Sequence, residues 1–217
     1  MKIGSRSARG SRSFEAIVDA AEKAFLAHGY DGARIEDIAK AAHVSVGTVY
    51  VHFTNKDGVY AAVLLRGQDI MLTEYLYPAL DMDLPPWERI ERWCRAYIRF
   101  FEEHEPRARM MALQAYGEHT SAAPAAMHEA LRDNIAGHHD RFVALFVEAS
   151  EAGQLSGADP VAASRFVWSS VYGICLTNLR HTFLQLDYDG LRGVLDAGML
   201  LVGAGDPTSK RFRREPA

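Results

Sequence analysis

Apolar residues recur three and four positions apart along almost the whole chain, and no stretch holds the period of two that a half-buried strand needs. Phe14, Ile17, Val18, Ala21, Phe25 and Leu26 form one such stripe and predict a helix over residues 13–28, with Ser13 as its N-cap and Gly29-Tyr30-Asp31-Gly32 as its stop. Two short helices follow, over 35–42 and 46–53, and Thr54-Asn55 leads into a long one over 56–77. Pro85-Pro86 opens a helix over 87–103, another follows Pro106, and 125–152 carries a long one after a loop at 117–124. A loop at 153–159 and Pro160 introduce an eighth helix to about residue 184, and 188–202 carries a ninth. Nine helices without internal repeats predict an all-α protein.

The stretch from Ile35 to Phe53 departs from this core-making pattern. Ile35, Ile38, Ala39 and Ala42 give a short helix one apolar face, Val44 plugs the junction, and Ser45 is placed to cap the next helix. Val49 and Phe53, four apart, anchor that helix, while Val46, Gly47, Thr48, Tyr50 and His52 are left to point elsewhere. They are small or hydrogen-bonding groups on a helix too short to be stable alone. Two such helices joined by a tight turn make a helix-turn-helix, whose second helix enters the major groove of DNA, where small residues permit close approach to base edges. The competing reading of Tyr50 and His52 is a packed aromatic pair that steadies the turn.

Ala21, Phe25, Gly29, Tyr30, Ile38, Ala39, Ala42, Val44, Ser45, Gly47, Thr48, Tyr50, His52, Phe53 and Lys56 match, place by place, the run Ala-x-x-x-Phe-x-x-x-Gly-Tyr, Ile-Ala-x-x-Ala, Val-Ser-x-Gly-Thr-x-Tyr-x-His-Phe-x-x-Lys. In this the region from Ser13 to Val63, about a quarter of the chain, resembles the DNA-binding region of the TetR family of bacterial transcriptional regulators. The resemblance implies an N-terminal three-helix DNA-binding domain over residues 11–71 and a helical ligand-binding and dimerisation domain over 72–204. It implies that Arg34, Ser45, Val46, Gly47, Thr48, Tyr50, His52 and Lys56 face double-stranded operator DNA, with Tyr50, His52 and Lys56 on phosphates. It further implies a homodimer through the eighth and ninth helices, reading a palindrome, and a small-molecule effector that releases DNA by swinging the fourth helix as a lever. Two positions depart from the family pattern. Arg34 stands where a Ser or Thr cap is usual, and His43 stands where a glycine with positive φ is usual.

In the second half the same stripes continue: Ile90, Trp93, Tyr97, Ile98 and Phe101; Met110, Met111, Leu113 and Tyr116; Leu131, Ile135, Phe142, Leu145 and Phe146; Phe166, Trp168, Tyr172 and Leu176. Most of these make a core. Trp93, Tyr97, Phe101, Met110 and Trp168 are singled out as walls of a cavity for a lipophilic or aromatic ligand. The helix from Pro160, apolar nearly all round and carrying Ser169, Ser170 and Gly173, reads as buried on more than one side. His104, His119, His128, His138, His139 and His181 hold no metal-ligand spacing and read as solvated or capping.

Composition adds bounds. The net charge is −4, yet Lys2, Arg6, Arg9 and Arg12 fall among the first twelve residues without an acid, which suits phosphate contact by that arm. Lys210, Arg211, Arg213 and Arg214 read as a solvated tail. Cys94 and Cys175 sit in apolar helical patterns, which predicts a reduced, cytoplasmic chain; no signal peptide or membrane span is expected. No nucleophile–base pair, metal cluster or phosphate loop suggests an enzyme, and no cofactor is implied. The alternatives carried forward are a DNA-binding protein without a ligand and, behind it, an α-helical enzyme.

Overall fold

The computed structural model describes residues 8–80, 83–114, 123–155, 159–179 and 187–202. Among them run α1 (Ala8–Gly32), α2 (Ile35–Ala41), α3 (Val46–Phe53), α4 (Lys56–Ile70), α5 (Pro86–Glu103), α6 (Glu105–Gln114), α7 (Ala125–Glu151), α8 (Pro160–Leu179) and α9 (Tyr188–Val202). The fold is all-α.

Several boundaries differ from the sequence reading. Ser13 is not the cap of α1, because the helix already runs from Ala8. At the other end Gly29 takes φ 69°, a left-handed value open to glycine, but helical structure resumes for one more turn to Gly32. The fourth helix is not one uniform rod: α4 ends at Ile70, and Met71–Leu76 continues as a π-helical segment. Tyr77 N–H reaches back to Leu72 O at 2.8 Å, closing the wider turn. Met71, Leu72, Tyr75 and Leu76 are all buried in it, against α5. The eighth helix is described only to Leu179, so its expected continuation to residue 184 lies outside the described residues, as do Lys2, Arg6, His119, His181 and the basic tail.

The chain divides into two compact units, one of residues 1–70 with 104–136 and one of residues 71–103 with 137–217. In the first, α1 packs on α2, α4 and α6, and α3 packs on α2 and α4. Its core gathers Ile17, Ala21, Phe25, Ile38, Val49, Phe53, Tyr60 and Leu64. Burying such side chains contributes roughly 1.5–3 kcal/mol each. Around the core, Arg66 of α4 meets three acids of one α1 face: Glu15 at 2.6 Å, Asp19, and Glu22 at 4.0 Å. Arg107 of α6 binds Glu22 as well, at 2.6 Å.

In the second unit α5 packs on the π-helical segment, α8 and α9, and α8 packs on α9. The strongly amphipathic α5 buries Ile90, Trp93, Cys94, Tyr97, Ile98, Phe100 and Phe101. Tyr75 O–H donates to Glu103 at 2.5 Å, and Arg89, itself buried, pairs with Glu148. Burial lifts both thiols, Cys94 above its ordinary range and Cys175 to about 12, so neither is reactive. Phe166, expected to be buried, is 54% exposed on α8, and Val194 of α9 is 44% exposed.

Candidate nucleic-acid interface

The turn between α2 and α3 is built by backbone hydrogen bonds. His43 N–H donates to Lys40 O at 3.2 Å and Val44 N–H to Ala39 O at 3.0 Å, the paired bonds of a Schellman motif. The residue after such a cap sits in left-handed space, and His43 does so at φ 56°. It bears the steric cost that a glycine there would avoid. At the start of α2, Arg34 makes no side-chain cap; its side chain is 75% exposed, with Glu36 at 3.9 Å.

Ser45 caps α3 as read from the sequence: its Oγ accepts from Thr48 N–H at 3.1 Å and lies 2.8 Å from Thr48 Oγ1. Val49 and Phe53 are fully buried, which fixes the roll of the helix. The opposite face carries Gly47, Tyr50 (46% exposed) and Val51 (85% exposed), with Val46 and Thr48 half-buried at its edge. Sequence reasoning passed over Val51, which occupies a free position of the family pattern, although its place two residues from both Val49 and Phe53 already turns it away from the core. His52 is half-buried, its ring edge-on to Phe14 at 6.1 Å and beside Phe53 at 5.9 Å.

The junction from α3 to α4 contains two residues that the sequence reading did not weigh. Thr54, at φ 67°, centres a strained three-residue turn in which Asn55 N–H donates to Phe53 O at 2.7 Å. Asn55 then caps α4 by accepting from Gly58 N–H at 2.8 Å. A Cβ at Gly58 would lie 2.0 Å from that same Phe53 carbonyl oxygen, so the crossing of the two helices depends on this glycine. Lys56, in the first turn of α4, sets its ammonium 4.4 Å over the Tyr30 ring and 3.5 Å from Asp31 O. These interactions hold the side chain while leaving donors for an anion at the helix N-terminus. Tyr30 is itself tied to α4, donating its hydroxyl to Asp57; burial and that carboxylate push its pKa well above the ordinary phenol value.

A second set of residues gathers around Trp93, which is 1% exposed. Its ring lies 4.1 Å from Phe142, 5.2 Å from Trp168, 5.3 Å from His138 and 5.4 Å from Tyr97, with Phe101 5.1 Å beyond Tyr97. Four of the five residues read as ligand walls thus meet in the second unit. Met110 is placed elsewhere, in the core of the first unit, where its carbonyl accepts from Tyr60 O–H at 3.4 Å. His138 is neither solvated nor capping, contrary to the sequence reading: it is 2% exposed, and Trp93 Nε1–H donates to its Nε2 at 2.9 Å. Burial lowers its pKa from 6.5 to about 4.

Comparison with known proteins decides the class. Residues 17–63 match the family described as bacterial regulatory proteins, tetR family, and residues 90–199 match the tetracyclin repressor-like C-terminal domain. The chain belongs to the TetR family. It is a transcriptional regulator that binds DNA, not an enzyme. This TetR-family regulator is 29% identical over 167 residues to the HTH-type transcriptional regulator RutR of Escherichia coli K12, covering 77% of this chain and 76% of RutR. SmeT, the repressor of the Stenotrophomonas maltophilia multidrug efflux pump SmeDEF, is 25% identical, with a TM-score of 0.66 over 94% of this chain and 96% of SmeT. AibR, solved with isovaleryl coenzyme A and operator DNA, shares the regulator's fold at 20% identity, with a TM-score of 0.64 over 85% of this chain and 97% of AibR. Among the described residues of the regulator no helix is long and apolar enough to cross a membrane, and no three His, Cys, Asp or Glu side chains are placed to hold a metal.

Proposed function

We propose that this regulator is a ligand-responsive repressor that binds a palindromic operator as a homodimer and is released by a small lipophilic or aromatic molecule. The observation that carries the DNA half is the exposed face of α3, held by buried Val49 and Phe53 and bounded by the Ser45 cap. Val46, Gly47 and Thr48 face base edges in this reading, and Arg34, Tyr50, His52 and Lys56 hold phosphates. Residues 11–71 bind DNA; 72–204 bind the effector and the second subunit. Exposed Phe166 and Val194 on the adjoining α8 and α9 support pairing through those helices, since apolar side chains of this size gain by being covered.

The aromatic cluster around Trp93 supports an effector with an apolar, ring-bearing body. SmeT is a repressor, which supports the same sense here, and AibR, solved with isovaleryl coenzyme A and operator DNA, supports a small-molecule effector. A difference in affinity of a few kcal/mol between the two states of the regulator suffices to release DNA.

The test is fluorescence anisotropy and footprinting on DNA flanking the regulator's own gene, titrated in salt. A protected pair of half-sites about one helical turn apart is the expected result; protection of a single unpaired site would overturn the dimer reading. Lys56→Ala and Tyr50→Ala should each weaken operator binding, but only the lysine variant should flatten the slope of log affinity against log salt, by about 0.9, since the uncharged phenol neutralises no phosphate. An unchanged slope in Lys56→Ala removes that residue from the phosphate set.

A further inference from the structure

We propose that His138 is the polar anchor of the effector site, and that it takes the carbonyl oxygen of a planar, ring-bearing molecule. This rests on the effector reading above and adds the chemistry of the ligand to it.

The argument begins with the proton on the imidazole. An indole N–H only donates, so the 2.9 Å bond from Trp93 Nε1 requires Nε2 of His138 to be the acceptor. A neutral ring accepting at Nε2 carries its proton on Nδ1. That nitrogen is buried and has no hydrogen-bond partner among the described residues. Ionisation does not resolve the conflict: it would place a proton on Nε2 as well and break the bond from Trp93. Burial, with Arg141 and His139 nearby, holds the ring neutral. What the site lacks is an acceptor.

The surroundings define the molecule that could bring one. Trp93, His138 and Tyr97 lie close to parallel, at interplanar angles of 19° and 28°, so the cluster is built of flat rings and suits a flat guest. Trp168, half-buried, lies 5.4 Å from His138 and 5.7 Å from His139. Arg141 sets its guanidinium 4.6 Å over Tyr77, whose ring is 6.1 Å from His138. A positive charge on that side favours a partly negative oxygen over a second donor.

The experiment uses acetophenone and α-methylstyrene, which differ in a carbonyl oxygen replaced by a methylene group. Binding to the full-length protein is followed by tryptophan fluorescence and by the imidazole nitrogen resonances of histidine-labelled protein. Acetophenone is expected to bind at least tenfold more tightly and to shift the Nδ1–H resonance of His138. In His138→Phe, which keeps a flat ring there, the preference should fall to about one, and in His138→Gln, which keeps a donor, part of it should survive. Equal binding of the two probes to the native protein, or an undiminished preference in His138→Phe, overturns the assignment. The native resonances decide even if a variant fails to fold. Operator release is scored separately: acetophenone held on His138 without release leaves the site intact and counts against the effector role.

Discussion

The α2–α4 region and the aromatic cluster around Trp93 use opposite means to present function. In the first, the backbone is held by many local devices and the working side chains are left outside: the His43 turn, the Ser45 cap, the Thr54 turn and the Asn55 cap all lie within a dozen or so residues. In the second, side chains from α5, α7 and α8 converge from distant parts of the sequence, and the polar group of interest is enclosed. The first region should therefore be intolerant of small backbone changes, and the second sensitive to acid.

Gly58→Ala is the harshest test of this contrast. The added methyl meets a backbone oxygen that cannot rotate away, so the variant should lose about 3 kcal/mol or more and its operator binding with it. Thermal unfolding with wild-type stability would show that the α3–α4 junction yields more easily than its geometry implies. The counterpart for the cluster is acid. His138 has a folded-state pKa of about 4, below its ordinary 6.5, so the unfolded chain takes up the proton first as pH falls. Its stabilising contribution is complete above about pH 6.5 and declines toward about pH 4, by about 3 kcal/mol over the window. Urea unfolding of wild type and His138→Phe across that range should show the loss in wild type and its absence in the variant.

Ser45→Ala should cost about 1 kcal/mol by removing the cap, read by chemical denaturation. Smallest of all, His43→Gly should stabilise the protein by about 0.5 kcal/mol, as relief of left-handed strain outweighs the added freedom of the unfolded chain. A destabilised His43→Gly would mean that the imidazole packs favourably enough to outweigh its strain.

The two regions were also unequally legible. Ser45, Val49 and Phe53 could be assigned because capping and i, i+4 anchoring are local rules, and the positive φ at His43 was expected from the family resemblance, which usually has glycine there. Gly58 was missed although it lies in the same region. A glycine in a helix looks like a tolerated weakness until a neighbouring carbonyl is seen beneath it. Ser13 misled because capping chemistry does not exclude a helix that starts upstream. Beyond Ile70, periodicity predicted helix but could not separate α from π winding, since both bury residues four apart. His138 and Met110 were beyond reach for a different reason: which neighbour a side chain meets across the core depends on tertiary packing, and adjacent histidines carry no sign of which one turns inward.

The convergence of Glu15, Asp19 and Glu22 on Arg66 has a consequence for how this chain tolerates mutation. The pairs to the exposed Glu15 and Asp19 each contribute little, under about 1 kcal/mol. Three carboxylates on one helix face nevertheless give the guanidinium spare partners, so the loss of one leaves the strap fastened by the others. Damage to this joint accumulates in small increments, and evolution can edit Glu15 and Asp19 one at a time without passing through a broken protein, whereas Glu22 also serves Arg107.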